Sequence, residues 1–207
     1  MPESLKRLAI ALRNRLSPTN SVRVDRRCVF RSRANMLSTR IRVEGASEVV
    51  IEEGVRLRRA ELLVLGANNL LRIGRDSRFR GRIELYGEGN VVTIGRDTSI
   101  GGTLLVAHNG HKIEIGDGCL FSQETELRTT DSHKVFDADC RRINADADVS
   151  VGDRVWLSRG VVVLKGVTVG ADTVVGMRSL VTKSLPPSSL AVGVPVRVIR
   201  SGVFWQS

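Results

Sequence analysis

The chain has 207 residues, only eight of them aromatic, three cysteines and a formal charge of +10 at neutral pH. No apolar run approaches the ~20 residues needed to cross a bilayer, and Lys6, Arg7, Arg13 and Arg15 interrupt the apolar residues a secretory leader would use. Cys28, Cys119 and Cys140 follow no disulfide or metal spacing and read as reduced thiols of a soluble, cytoplasmic protein, with Cys119 a small core filler.

Residues 1–20 come first in chain order. Leu5, Leu8, Leu12 and Leu16 fall on one side of a helix whose other faces carry the lysine and arginines just named, so a short basic amphipathic helix is expected. Residues 1–60 hold 14 Lys and Arg against 6 Asp and Glu, so most of the excess charge lies in the first third of the chain. Two roles stay open for the helix: a cap over the open end of a repeat fold, or a basic surface for an anionic partner. That partner would be an acidic glycan or lipid headgroups, reached by peripheral contact at the inner membrane face. Nucleic acid is not expected, because no stacking aromatics interleave with the arginines.

From residue 70 the chain repeats. Residues 70–90, 91–111 and 112–132 align without a gap as three 21-residue units, each three hexads plus three extra residues. Ile73, Ile94 and Ile115 share one column, Phe79, Ile100 and Phe121 the next, and Leu85, Val106 and Leu127 the third. A looser copy precedes them at Ile51, Leu57 and Leu63, offset by 22. The pairs Ile73-Gly74, Ile94-Gly95 and Ile115-Gly116 mark one corner, where glycine is expected to supply backbone angles that other residues resist.

Between residues 132 and 149 the winding is interrupted by a polar insertion that begins at Asp131-Ser132-His133. A long loop inside a regular coil costs ordering entropy without adding to the stack, so such loops are often functional. A neutral imidazole at His133 could take a proton from an acceptor hydroxyl, and a nearby carboxylate such as Asp131 could fix its tautomer.

Regular hexads then resume. Val151, Leu157, Val163, Val169, Val175 and Val181 recur every six residues, and Val155, Val161, Val167, Thr173, Ser179 and Leu185 follow each by four. This period belongs to neither ordinary helix nor ordinary strand. It describes a chain that turns a corner every six residues, with 18 residues per triangular lap, stacked at about 4.8 Å through backbone hydrogen bonds. Pro186-Pro187 is expected to end the last coil, since proline cannot donate to the ladder. The expected fold is an all-β solenoid with a short N-terminal helix and a C-terminal cap. Its coil spans residues 21–186, with the insertion near 133–149, and residues 187–207 form a cap or tail.

These hexads, Asp131-Ser132-His133, Val155-Trp156-Leu157, Val181-Thr182-Lys183 and the closing run Val192-Gly193-Val194-Pro195-Val196-Arg197-Val198-Ile199-Arg200 resemble hexapeptide-repeat acyltransferases of the left-handed parallel β-helix type. Within that family the chain looks most like the bacterial O-acetyltransferases of capsular, exopolysaccharide or lipopolysaccharide sugars. The resemblance covers about residues 50–200. It implies acetyl-CoA as cosubstrate, no metal, a homotrimer with active sites between subunits, and a carbohydrate acceptor; the basic excess points to an acidic or lipid-linked one.

The resemblance makes His133 the general base that activates the acceptor hydroxyl for direct attack on the thioester, and Trp156 the aromatic lining of the donor channel. Thr182 and Lys183 fall where the family contacts coenzyme A, and Arg159 and Met177 fall at pantetheine-contacting positions. Arg197 and Arg200 match residues that meet the nucleotide phosphates, which suits guanidinium geometry. One departure is Trp156-Leu157-Ser158-Arg159, where the family commonly has Trp-Ile-Gly.

Other readings remain beside this one. Transfer to an amino sugar or nucleotide-sugar would use the same site. A γ-type carbonic anhydrase shares the fold and binds zinc through three histidines, and this chain has three, His108, His111 and His133. In the 21-residue register His108 lies over Gly87 and under Thr129, so no histidine column forms, while His111 stacks on Ser132 next to His133, which leaves a surface cluster open. A non-catalytic scaffold holding an acidic glycan or membrane is the third.

Overall fold

The structure, a computed structural model, describes Asn14 and residues 17–206. The expected left-handed parallel β-helix is the fold: successive coils stack as parallel strands in long sheets. Three strand columns make a triangular prism. The first face stacks Leu120–Phe121, Trp156–Leu157, Val174–Val175 and Ser189–Gly193. The second stacks Glu126–Arg128, Val162–Val163 and Leu180–Val181, and the third Lys112–Ile115, Val149–Val151 and Thr168–Val169. In the earlier coils the single strands Arg56–Leu65, Arg78–Tyr86 and Ser99–His108 run across both the first and second faces. The first edge joins faces one and two, the second edge joins two and three, and the third edge joins three and one.

Both hexad series point inward. Val151, Leu157, Val163, Val169, Val175 and Val181 are buried, as are Val155, Val161, Val167, Thr173, Ser179 and Leu185. Ile73, Ile94 and Ile115 stack in register, as do Phe79, Ile100 and Phe121. Stacked branched side chains fill the narrow prism with one continuous core, each removing apolar surface worth about 25 cal/mol per Å² from water.

The third column of the 21-residue alignment needs correction. Leu85 pairs with Ala107 rather than Val106, and Leu105 pairs with Leu127, because a register shift lies between Gly101 and Thr103. Val106 therefore leaves the inward column, though it stays buried at 4% exposure, and His108 lies beside Tyr86 rather than Gly87. A second shift between Leu57 and Ala60, with Arg59 at φ 48°, accounts for the offset of 22. It turns Leu62 and Val64 inward and takes Leu63 out of the inward column, though Leu63 remains largely buried. One extra residue at a corner flips every following side chain, which hydrophobic spacing alone does not register.

The Ile-Gly corners also have a different cause from the one expected. Gly74, Gly95 and Gly116 do not carry positive φ; a Cβ on Gly95 would stand 2.5 Å from the Gly116 carbonyl carbon, and one on Gly74 2.7 Å from that of Gly95. Glycine is needed there because consecutive coils nearly touch. The left-handed conformation falls two residues later, at Asp76, Asp97 and Gly118.

At the open end, Asn14 and Asn20 satisfy backbone groups of the first coils. Met36 N–H donates to Asn14 Oδ1 at 3.0 Å and Thr39 N–H to Asn20 Oδ1 at 3.0 Å. Of the rest of the amphipathic helix expected over residues 1–20, residues 1–13, 15 and 16 lie outside the described residues, and residues 17–20 form a turn rather than helix. At the other end the ladder does not stop at Pro186-Pro187. These prolines sit at a corner, where Pro186 O accepts from Thr173 Oγ1, and Ser189–Gly193 adds one more parallel strand. Val196–Ser201 then folds back antiparallel on it. Among the described residues no helix is long and apolar enough to cross a membrane.

Gly81 combines φ 128° with a Cβ direction that runs into the Thr103 backbone, whereas Gly202 has φ 72° and open space around it. Left-handed strain alone costs about 1–3 kcal/mol. Gly81→Ala is therefore expected to lower the urea midpoint clearly more than Gly202→Ala; equal effects would mean the coils part easily at Thr103.

Candidate functional site

The insertion leaves the second edge after Thr129 and Thr130, both buried, and returns at Ala147, whose N–H donates to Thr129 O at 3.0 Å. It is a small hairpin. Phe136 and Arg142 form an antiparallel bridge, and Ile143 N–H donates to Val135 O at 2.9 Å. Asp137 closes the tip, with its Oδ1 accepting from Asp139 N–H and Arg141 N–H.

His133 stands exposed at the base of this hairpin, and its carbonyl accepts from Asn144 Nδ2 at 2.8 Å. Asp131 does not take the ring-orienting place expected for it. Its carboxylate accepts from Lys165 Nζ and from Asn144 Nδ2, and Lys165 also donates to Asn144 O at 2.9 Å. The Lys165 ammonium holds the Asp131 carboxyl below the usual carboxylate range. Asp131 thus acts on the backbone: through Asn144 it fixes where His133 leaves the coil.

A second anchor is Asp146, whose carboxylate pairs with Arg142 and accepts from Asn109 Nδ2 at 2.9 Å. Burial would raise its pKa, but hydrogen bonds from Asn109, Thr130 and Arg142 prevail and bring it to about 2. Nearby, His111 Nδ1 and Asp148 Oδ1 are 2.9 Å apart. A shallow cavity of about 380 Å³ lies here, lined by Asn109, His111, Lys134, Arg142, Ala145 and Asp146. His108 packs edge-on against Tyr86 at 5.1 Å, and burial lowers its pKa.

Trp156 lies elsewhere, facing outward on the first face. Its ring packs on Trp205 of the C-terminal tail at 5.9 Å, and Trp205 Nε1 donates to Arg154 O at 2.6 Å. Trp156 Nε1 is buried with no hydrogen-bond partner. Arg159 and Met177 turn the first edge in consecutive coils, where Arg178 N–H donates to Arg159 O and Arg159 pairs with Glu124. Met177 is 65% exposed, and Arg197 and Arg200 are exposed on the strand paired to the first face. Thr182 and Lys183 occupy the second edge, the His133 edge, one coil above Leu164 and Lys165.

The candidate residues therefore divide into two sets. His133, Asp131, Thr182 and Lys183 lie on the second edge; Trp156, Arg159, Met177, Arg197 and Arg200 lie on the first face and first edge. In a triangular prism the second edge is opposite the first face, so one chain does not bring His133 to Trp156. Sequence reasoning missed Lys165, Asn144, Asp148 and Trp205. Only Trp205 left a signal, as one of two tryptophans in a chain poor in aromatics.

No family model matches the chain. The polySia-specific acetyltransferase NeuO superposes with a TM-score of 0.85 at 30% identity, over 91% of this chain and 89% of that one. The chain belongs to the hexapeptide-repeat acetyltransferases. Among curated relatives, the galactoside O-acetyltransferase of Escherichia coli K12 is 38% identical over 91 residues, covering 42% of this chain and 43% of its own length. The polysialic acid O-acetyltransferase of Escherichia coli O1:K1 is 33% identical over 94 residues, covering 45% of this chain and 31% of its own length. The chain thus spans less than half the length of these curated relatives.

The hairpin's dependence on Asp146 has a definite sign with pH. Its folded pKa of about 2 lies below the ordinary 3.8, so the stabilisation is complete above about pH 4 and is lost as pH falls toward 2. Pepsin nicking at the hairpin is expected to rise sharply between pH 4 and 2. Asp146→Asn should open the same segment to trypsin at pH 7; an unchanged nicking rate in that variant would remove Asp146 as the anchor.

Proposed function

We propose that the chain is an acetyl-CoA-dependent O-acetyltransferase acting on a sugar hydroxyl of a bacterial surface polysaccharide or its precursor. The observation that carries this reading is the likeness to NeuO along nearly the whole chain. The names of two further relatives, which acetylate galactosides and polysialic acid, support a sugar acceptor. We place the reaction in the cytoplasm or at the inner membrane face, in line with three free thiols.

His133 accepts the proton of the acceptor hydroxyl as its oxygen attacks the thioester carbonyl carbon. Backbone N–H groups or Ser132 stabilise the oxyanion that develops. As the carbon–sulfur bond breaks, the proton on His133 passes to the departing sulfur, so no acyl-enzyme forms. The thioester is already activated, so positioning and a general base suffice.

The donor fits the first face. An indole with an unpartnered Nε1, the exposed Met177 and Arg159 and the exposed cations Arg197 and Arg200 offer an apolar channel ending in phosphate ligands. Thr182 and Lys183 would add contacts from the opposite edge. Because His133 and Trp156 lie on opposite sides of the prism, the site assembles between copies, with His133 of one chain facing Trp156 of the next in a homotrimer.

Replacing His133 by Ala is expected to lower turnover about 100-fold or more while leaving acetyl-CoA affinity nearly unchanged. Free-thiol release from acetyl-CoA across a panel of glycans, simple sugars and amino sugars checks this. Equal turnover in the variant removes His133 as the base, and release only with amino sugars moves the reaction to N-transfer.

A further inference from the structure

On the first face, five arginines stand together without partners. Arg56 and Arg78 are register neighbours in adjacent coils, Arg58 and Arg80 follow two residues after each, and Arg59 turns the first edge. All five are exposed. None forms an ion pair among the described residues, whereas on the other faces of the same coils Arg72 pairs with Glu52 and Arg82 with Glu61 and Glu84. No strand of this face, from Asn35–Leu37 through Arg56–Arg58, Arg78–Arg80, Ser99–Gly101, Leu120–Phe121, Trp156–Leu157 and Val174–Val175 to Ser189–Gly193, contains an acidic residue.

Like charges placed directly opposite on neighbouring strands are destabilising. Placing Arg56 beside Arg78 therefore costs stability that neighbouring carboxylates would have relieved, as they do on the other faces. A ligand can supply the missing negative charge. The same repulsion disfavours covering this part of the face with a second copy of the chain.

The register also fixes where the strip leads. The outward column reads Asn35, Arg56, Arg78, Ser99, Leu120, Trp156, Val174, Leu190. Trp156 lies three coils beyond Arg78 and four beyond Arg56, roughly 14 to 19 Å along a rigid, straight face. Arg197 and Arg200 lie at the other end, past Trp156. A donor whose phosphates reach those two leaves the approach from the arginine strip free.

We propose that Arg56, Arg58, Arg59, Arg78 and Arg80 form a binding strip for an extended carboxylated glycan, which holds the acceptor polymer along the first face leading to the reaction centre. This rests on the acetyltransferase reading for the direction of approach, though not for the binding itself. Guanidinium groups match carboxylates in bidentate geometry. Nucleic acid would call for aromatic platforms beside the cations, and a membrane for apolar side chains among them. The register neighbours of Arg56 and Arg78 are instead Asn35 and Ser99.

The test is fluorescence anisotropy of labelled polygalacturonate oligomers against full-length protein, with neutral dextran, an oligo-dT strand and anionic phospholipid vesicles as competitors. Wild type is expected to bind polygalacturonate, more weakly as salt rises, and not dextran. The triple variant Arg56→Gln/Arg78→Gln/Arg80→Gln should bind about tenfold or more weakly, with an unfolding midpoint equal to or above wild type as repulsion is relieved. If that variant does not fold, the pair Arg58→Gln/Arg59→Gln should still weaken binding measurably. Binding within twofold of wild type in a folded variant, equal binding of dextran, or capture of oligo-dT or vesicles in preference to polygalacturonate overturns the proposal. Strip-dependent binding without acetyl transfer to any acceptor leaves the strip standing and removes the acetyltransferase reading. Transfer to short neutral sugars should be the same in the variant and in wild type.

Discussion

Parallel, in-register stacking is the constraint on which the rest of this molecule depends. Each coil donates its backbone N–H groups to the coil beside it, as in Gly74 to Ile94, Gly95 to Ile115 and Gly116 to Val151, all at 2.8 Å. Three consequences follow. Residues one coil apart must share an environment, so columns of Ile, Val and Leu fill the interior. At the third edge Gly74, Gly95 and Gly116 keep their place because adjacent coils leave no room for a Cβ there. Outward residues must line up in straight columns, which is how the fold places a basic strip and an indole on one axis.

The inward columns were legible in the sequence because a six-residue period leaves no other way to bury one residue in six. His133 was legible as a departure, a histidine where the period breaks, whereas Trp156 entered only through the resemblance to the family. What escaped was set by corners and by long-range partners. The extra residues near Arg59 and Gly102 shift the register by one without breaking the hydrophobic spacing, so Leu63 and Val106 were assigned to inward columns that Val64 and Ala107 occupy. Asp131 was near His133 in sequence, yet the fold brings Lys165 to it from 34 residues away. The Lys165 ammonium one coil above takes the carboxylate in place of the ring two residues along the chain.

The hairpin at the second edge shows how a rigid coil carries a positioned loop. It would be free to swing if only its two ends were attached. Asp131 with Lys165 and Asn144 fixes one limb, and Asp146 with Arg142, Asn109 and Thr130 fixes the other. His133 is thereby presented outward from a fixed base, toward space that its own chain does not fill. On the opposite face Trp156 is likewise presented outward, shielded within its own chain by Trp205. On the proposed reading each half displays what the other lacks, and a ring of identical chains would bring the halves together.

Mixing two inactive variants, His133→Ala and Trp156→Ala, by co-expression tests this account most directly. A site shared between chains predicts recovery to roughly a quarter of wild-type acetyl transfer, the statistical share of interfaces with both groups intact in a randomly mixed ring. Activity no higher than that of either parent, in mixed oligomers verified to contain both chains, would contradict it.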